Sequence, residues 1–313
     1  QFVWSNSEVR ERLQHFTLAA DEVWGLQHAK TEEAQLFRRF SSLGHYGARP
    51  ADATRQGIYA VTPSGKLLAS WNTRSIPKVL EQLDLALERW RAMEPEQRMP
   101  EHPLPREARP SDAYPQDGLA LVVYTRDMPR EDLPEAMRGE WRRHAWNQDR
   151  FWLRKEELDG LREGKGLPPA AAKRLVQIHG RDNVRGQSPA YEAKQVVKAE
   201  VRSRVLEASE TRVVVELSGE GAVAQSGVWS IDDRRDGPAE HTRSFEGTLG
   251  GRAVWEGGRW TEFQLAWVGT RQGATQFNGR SDDPGPAPMG VVLVLAPEND
   301  RIAPSFAWMY GWR

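Results

Sequence analysis

The chain has 313 residues, enough for two ordinary domains, and its 43 basic and 44 acidic side chains leave a formal charge of −1. That balance excludes a global field drawing it to nucleic acid or to an anionic membrane surface. There is no cysteine, so no disulfide, thiolate metal site or cysteine nucleophile is available. No apolar run approaches the ~18 residues of a membrane span; the longest, Met289–Ala296, has the length of a buried strand, and a soluble protein is expected. Thirteen tryptophans stand out, a number suited to dense cores or to surfaces that stack sugars and other flat ligands. A chain beginning at Gln1 is expected to have been trimmed or processed, by removal of a signal peptide or otherwise.

Residues 1–91 read as a first unit. Asn6 and Ser7 cap a short helix through Leu13, and His15–Ala19 follows as a strand. Thr31 is the N-cap of a helix to Phe40, with acids early, arginines late, and Leu36, Phe37 and Phe40 on one face. Gly57–Val61 and Leu67–Trp71 flank Pro63-Ser64-Gly65, a hairpin turn. Ser75 caps a helix entered at Pro77, whose Val79, Leu80, Leu83, Leu87 and Trp90 recur at helical spacing.

Residues 92–118 are rich in proline and charge and predict an extended linker. Leu119–Tyr124 is a clear strand. Residues 130–180 read as mainly helical, through Trp141, Trp146 and Trp152 to a helix over Pro168–Ile178 that ends at Gly180. From Val196 the pattern becomes β, with strands expected near 196–204, 211–217, 227–231, 242–247, 251–255, 261–268 and 290–295, which argues an antiparallel barrel or sandwich over the tail of the region 119–313.

Residues 15–90, with strand, helix, hairpin and terminal helix in order, resemble the thioredoxin-like superfamily, and the stretch TPSGKLLASWNT at 62–73 resembles its penultimate hairpin. The fold class implied is α/β plus α+β: a thioredoxin-like sandwich, a helical segment, then an antiparallel β-barrel or sandwich. Thioredoxin chemistry needs Cys-x-x-Cys at a helix N-terminus, where the macrodipole lowers the first thiol's pKa, and a proline just before the hairpin. Arg55-Gln56-Gly57 occupies the second place and the thiols do not exist, so the resemblance implies a scaffold without redox work. Through Asp182–Gln187, Val268–Gly273, Phe277–Arg280 and Asp282–Gly290, the rest resembles the C-terminal part of secreted bacterial two-domain proteins of unassigned activity. A periplasmic or secreted location follows from it as an expectation.

The densest polar stretch is Gly269–Pro284. Arg271, Asn278 and Arg280 suit a carboxylate or phosphate, and Asp282 and Asp283 suit a hard cation or acid–base work. The same residues suit a long loop between Trp267 and Val291 pinned by arginine–aspartate pairs. Asp182 and Arg185 have matching chemistry in a turn context and are candidates to meet that loop. The seven histidines form no local metal motif, although distant ones such as His144 and His179 leave an assembled site open. Asp232–Gly237 lacks the alternation of a calcium loop. No Gly-x-Ser-x-Gly elbow or phosphate-binding glycine loop occurs.

Among the tryptophans of the β half, Trp255 and Trp260 bracket a hairpin turn where two indoles can pair across strands. The others, Trp229, Trp267, Trp308 and Trp312, suit either core packing or a stacking platform. Two functions remain. One is an exported, redox-inactive binding or interaction module taking a protein partner or a small ligand such as a sugar or carboxylate, with no cofactor, metal or nucleic acid expected. The other is an enzyme of unknown class, with hydrolysis as one candidate reaction, built on the Arg/Asn/Asp loop.

Overall fold

A computed structural model describes residues 2–19, 23–47, 49–50, 53–99, 110–131, 141–232 and 237–312. The chain divides into two compact units, Gln1–Glu107 and Ala108–Arg313. The division falls inside the proline-rich stretch, much of which lies outside the described residues.

The first unit opens with helices α1 (Phe2–Ser5), α2 (Ser7–Leu13), α3 (Val23–His28) and α4 (Glu32–Ser42). Their starts follow side-chain chemistry: Asn6 Oδ1 accepts from the Val9 amide at 3.1 Å and Thr31 Oγ1 from the Ala34 amide at 3.1 Å, satisfying donors that a helix N-terminus leaves unpaired. β1 (Ile58–Val61) and β2 (Leu67–Trp71) form an antiparallel hairpin, with Gly65 taking a positive φ of 79° at its turn. α5 (Ile76–Ala92) lays Val79, Leu83 and Ala86 onto Leu68, Ala69 and Trp71. One further helical turn, α6 (Pro95–Arg98), occupies the start of the segment expected to be extended. His15–Ala19 is not a strand. The His15 and Phe16 amides bond back to the Arg12 and Leu13 carbonyls at 3.1 and 3.0 Å, which prolongs the turn at the end of α2 in place of an extended chain.

The second unit contains β3 (Leu119–Asp127), β4 (Trp146–Leu153), α7 (Lys155–Arg162), α8 (Pro169–His179), β5 (Val196–Ala208), β6 (Arg212–Trp229), β7 (Ala239–Glu256), β8 (Arg259–Gln272) and β9 (Ala287–Leu295). All seven strands join one antiparallel sheet in the order β4-β3-β9-β8-β7-β6-β5. Among the described residues the sheet is open and single, with β4 and β5 at its edges, in place of the barrel or two-sheet sandwich that strand spacing alone allowed. The segment 146–153 also departs from the helical expectation. Its bases for pairing are plain: Leu119 to Arg126 meet Leu153 to Trp146 in register, and Phe151, Trp152 and Leu153 bury against the same core as β3.

Helices α7 and α8 pack on β5 and β6, and the space between helices and sheet is filled. Trp267 is wholly buried, its indole 4.5 Å from the Phe245 ring centroid. It occupies room left by two glycines. A Cβ on Gly221 would come within 2.6 Å of that indole and one on Gly180 within 2.9 Å. Trp255 and Trp260 are paired across the β7–β8 hairpin, while Tyr310 is buried and its hydroxyl accepts from the Trp152 amide at 3.2 Å. Trp308, by contrast, is 76% exposed. Removing the central indole leaves a large void that glycine backbones cannot relax into. Trp267→Ala is therefore expected to lose about 3–5 kcal/mol, measured by urea unfolding; a loss under about 1 kcal/mol would show that the ring does not support the fold.

Candidate functional site

The polar loop 273–286 between β8 and β9 is folded by its own backbone chemistry. Asn278 Oδ1 accepts from the Thr275 amide at 3.0 Å, and the Gly273 amide reaches the Pro284 carbonyl at 2.7 Å. Gly273 needs a φ of 93° there, which glycine adopts without steric cost. The segment after α8 docks against this loop through the Gln187 amide and the Phe277 carbonyl at 2.8 Å. Gly186 allows the approach, since a Cβ there would lie 1.9 Å from that carbonyl oxygen.

This docking assembles a buried ion network. Arg280 donates to both oxygens of Asp127 at 2.6 and 2.9 Å and to both oxygens of Asp182 at 2.6 and 3.0 Å. Arg271 donates to the Asp283 carboxylate at 2.5 Å and to its carbonyl at 2.6 Å. Arg185 bridges Asp127 at 2.8 Å and Asp283 at 3.1 Å, and Arg130 reaches the other Asp283 oxygen at 2.6 Å. Among the described residues, four guanidiniums thus share three carboxylates. Burial alone would raise the carboxyls of Asp127 and Asp283. For Asp127 the Arg280 bond and charge, with Arg185 and Arg271, outweigh it; for Asp283 Arg130 and Arg271 do so. Both are held below the usual carboxylate range. Burial would lower Arg280, but Asp182 and Asp127 raise it.

Five of the residues singled out from sequence therefore meet as one unit: Arg271, Arg280 and Asp283 with Asp182 and Arg185. Their ligands are one another. Arg271 and Arg280 are 1% and 0% exposed, so they hold the protein's own carboxylates instead of an incoming anion. Asn278 is buried and serves the loop, and Asp282 is exposed. Asp127 and Arg130 were not legible as partners; the sequence carries them as the polar end of an apolar strand, and only the β3–β9 ladder brings them beside the loop. A carboxylate held ionised by several guanidiniums is a poor proton acceptor near neutral pH, because its affinity for the proton is low. No group of three or more metal-ligating side chains occurs among the described residues.

The network's outer edge forms the wall of an open cleft of 640 Å³. Arg126, Arg130, Arg143, Arg185 and His144 line it, against the acids Asp127 and Glu131. Arg126 and Arg143 are exposed and form no ion pair with a described residue. The cleft thus has a cationic rim with anchored guanidiniums behind it, a surface suited to carboxylate oxygens.

A second buried cluster lies on β4 and the end of α8. Arg181 donates to Asp149 Oδ2 at 2.8 Å, while the amides of Arg150 and Ser305 reach Asp149 Oδ1 at 2.7 and 2.9 Å. Burial would raise the Asp149 carboxyl; His179 once charged, Arg181 and those two amides together hold it below the usual range. His179, 3% exposed and 4.0 Å from Asp149, has its pKa pushed down to about 4 by burial, which Asp149 opposes only in part. It is neutral at pH 7, so Arg181 is the cation of Asp149. His144 lines the cleft instead, and the two histidines do not join in a metal group.

Two predictions follow from these clusters. Arg280→Met takes the guanidinium from Asp182 and leaves Asp127 with Arg185 alone among the described residues, and is expected to cost about 3–5 kcal/mol in chemical unfolding. For His179 the folded pKa lies below the ordinary 6.5, so the unfolded chain binds the extra proton. Stability is then complete above pH 6.5 and falls as pH drops toward 4, by about 3 kcal/mol. His179→Gln should flatten unfolding free energy across that window, and an unchanged slope would refute the assignment. Comparison of the chain with protein-family models, with curated proteins and with solved structures finds no match to any of the three.

Proposed function

We propose that this protein is a redox-inactive binding module whose second unit takes a small carboxylate-bearing ligand in the cleft beside the end of β3. The observation that carries this reading is the arginine-lined wall of that cleft. Arg126 and Arg143 stand at its rim, and Arg130 and Arg185 are fixed behind them by Asp283 and Asp127. Guanidiniums already held in place lose little conformational freedom on binding, and their planar forks match a carboxylate. The near-zero charge of the whole chain makes this a local field, which favours a compact anion over a polyanion.

The first unit is read as a cysteine-free thioredoxin-like scaffold, supported by the hairpin Ile58–Trp71 followed by α5, and export belongs to the same reading. An acid–base enzyme is the weaker alternative, because the aspartates nearest the cleft are held ionised by their arginines. Calorimetric titration with succinate tests the proposal. Binding is expected at low ionic strength, weakening as salt screens the exposed rim. Arg143→Ala should raise Kd about tenfold, the effect of ~1.4 kcal/mol. Absence of binding by the intact protein, or an unchanged Kd in that variant, would overturn it.

A further inference from the structure

The cleft continues past its cationic wall onto an aromatic surface. Tyr124 and Trp146 are 38% and 40% exposed, with ring centroids 5.7 Å apart and planes tilted by 52°. Their meeting is a consequence of register. Arg126 lies directly opposite Trp146 in the β3–β4 ladder, and Tyr124 is opposite Gln148. The four side chains Tyr124, Arg126, Trp146 and Gln148 therefore share one face of the pleat, with Tyr124 and Trp146 as diagonal neighbours. All four are exposed. β4 is an edge strand, so among the described residues the sheet does not extend beyond Trp146 and Gln148.

Tyr124, Arg126, His144 and Trp146 line a hollow of 410 Å³. Arg126 and His144 also line the larger cleft. The two hollows share a wall, and the residues at the junction are a guanidinium and an imidazole. One end of the trough is thus apolar and aromatic, and the other is cationic.

The geometry points to a ligand that is a ring with an acid attached: we infer that this trough binds a uronic acid, the acidic sugar unit of an anionic oligosaccharide. The inference rests on the carboxylate reading above and specifies its ligand. A pyranose presents C–H bonds on its faces, which pack on an indole or phenol ring with their positive edge toward the π cloud. Two rings tilted by 52° cannot sandwich one planar base between parallel faces, but they cradle the non-planar face of a sugar chair. Gln148, beside both rings, offers an amide donor and acceptor to ring hydroxyls. Arg126 is positioned on the same face for the carboxylate, with His144 beside it. A hydrophobic peptide would leave this guanidinium and amide unpaired on desolvation, which costs affinity.

The test compares three probes on the intact protein by calorimetry: digalacturonate, succinate and the neutral disaccharide cellobiose. Digalacturonate is expected to bind at least tenfold more tightly than either of the others. Trp146→Ala should remove that advantage while leaving succinate binding unchanged, and Trp146→Phe should retain most of it. The succinate arm also verifies that the variants are folded. Equal affinity for succinate and digalacturonate, with no effect of Trp146→Ala, would overturn the sugar inference and leave the carboxylate cleft standing. Equal affinity for cellobiose and digalacturonate would overturn the acidic-ring assignment. Failure of both acidic probes to bind would overturn the cleft reading and this inference together.

Discussion

The second unit is organised around the guanidinium of Arg280. It takes the carboxylate of Asp127 from the end of β3 and that of Asp182 from the segment after α8, while its own backbone lies in the β8–β9 loop. One side chain therefore joins three stretches far apart in sequence. A buried guanidinium is costly to desolvate unless its donors are filled, and here the two carboxylates fill them. The constraint runs in both directions. Each aspartate needs the arginine, and each segment must hold its place for the pairs to persist.

The same network fixes the inner wall of the adjoining cleft. Its members at the cleft, Arg130 and Arg185, are rigidly placed by Asp283 and Asp127. Exposed Arg126 and Arg143 extend the same sign outward. The strand pairing that puts Arg126 opposite Trp146 then sets an aromatic surface against a cationic one. Chemistry and shape come from separate causes: buried ion pairing fixes the first, and the period-2 alternation of two strands fixes the second.

Much of the local structure was legible because it depends on near neighbours. The caps at Asn6 and Thr31, the hairpin turn at Gly65 and the apolar stripe of α5 all follow from residues within a few positions of each other. The meeting of Asp182 and Arg185 with Arg271, Arg280 and Asp283 was also legible, since complementary charges in glycine-rich turns have few ways to be buried. Asp127 and Arg130 were not, because nothing local distinguishes a strand-end aspartate that will face solvent from one that will face Arg280. Trp146 and Trp152 were misassigned to a helix for a similar reason. The segment 146–153 becomes a strand by pairing with β3, and a short aromatic run alone does not decide between the two periods.

By itself the sequence determined the absence of thiol chemistry, the near-neutral charge, the change to β structure after Val196 and the residues able to pair as ions. These depend on composition and short-range geometry. Only the tertiary structure decided that the sheet stays open, that Arg271 and Arg280 are spent on internal carboxylates, and that the accessible cations are Arg126 and Arg143. The reason is physical. Whether an arginine serves a ligand or a neighbour depends on which charges lie within a few ångströms after folding, and that distance is set by strand register across more than a hundred residues of chain.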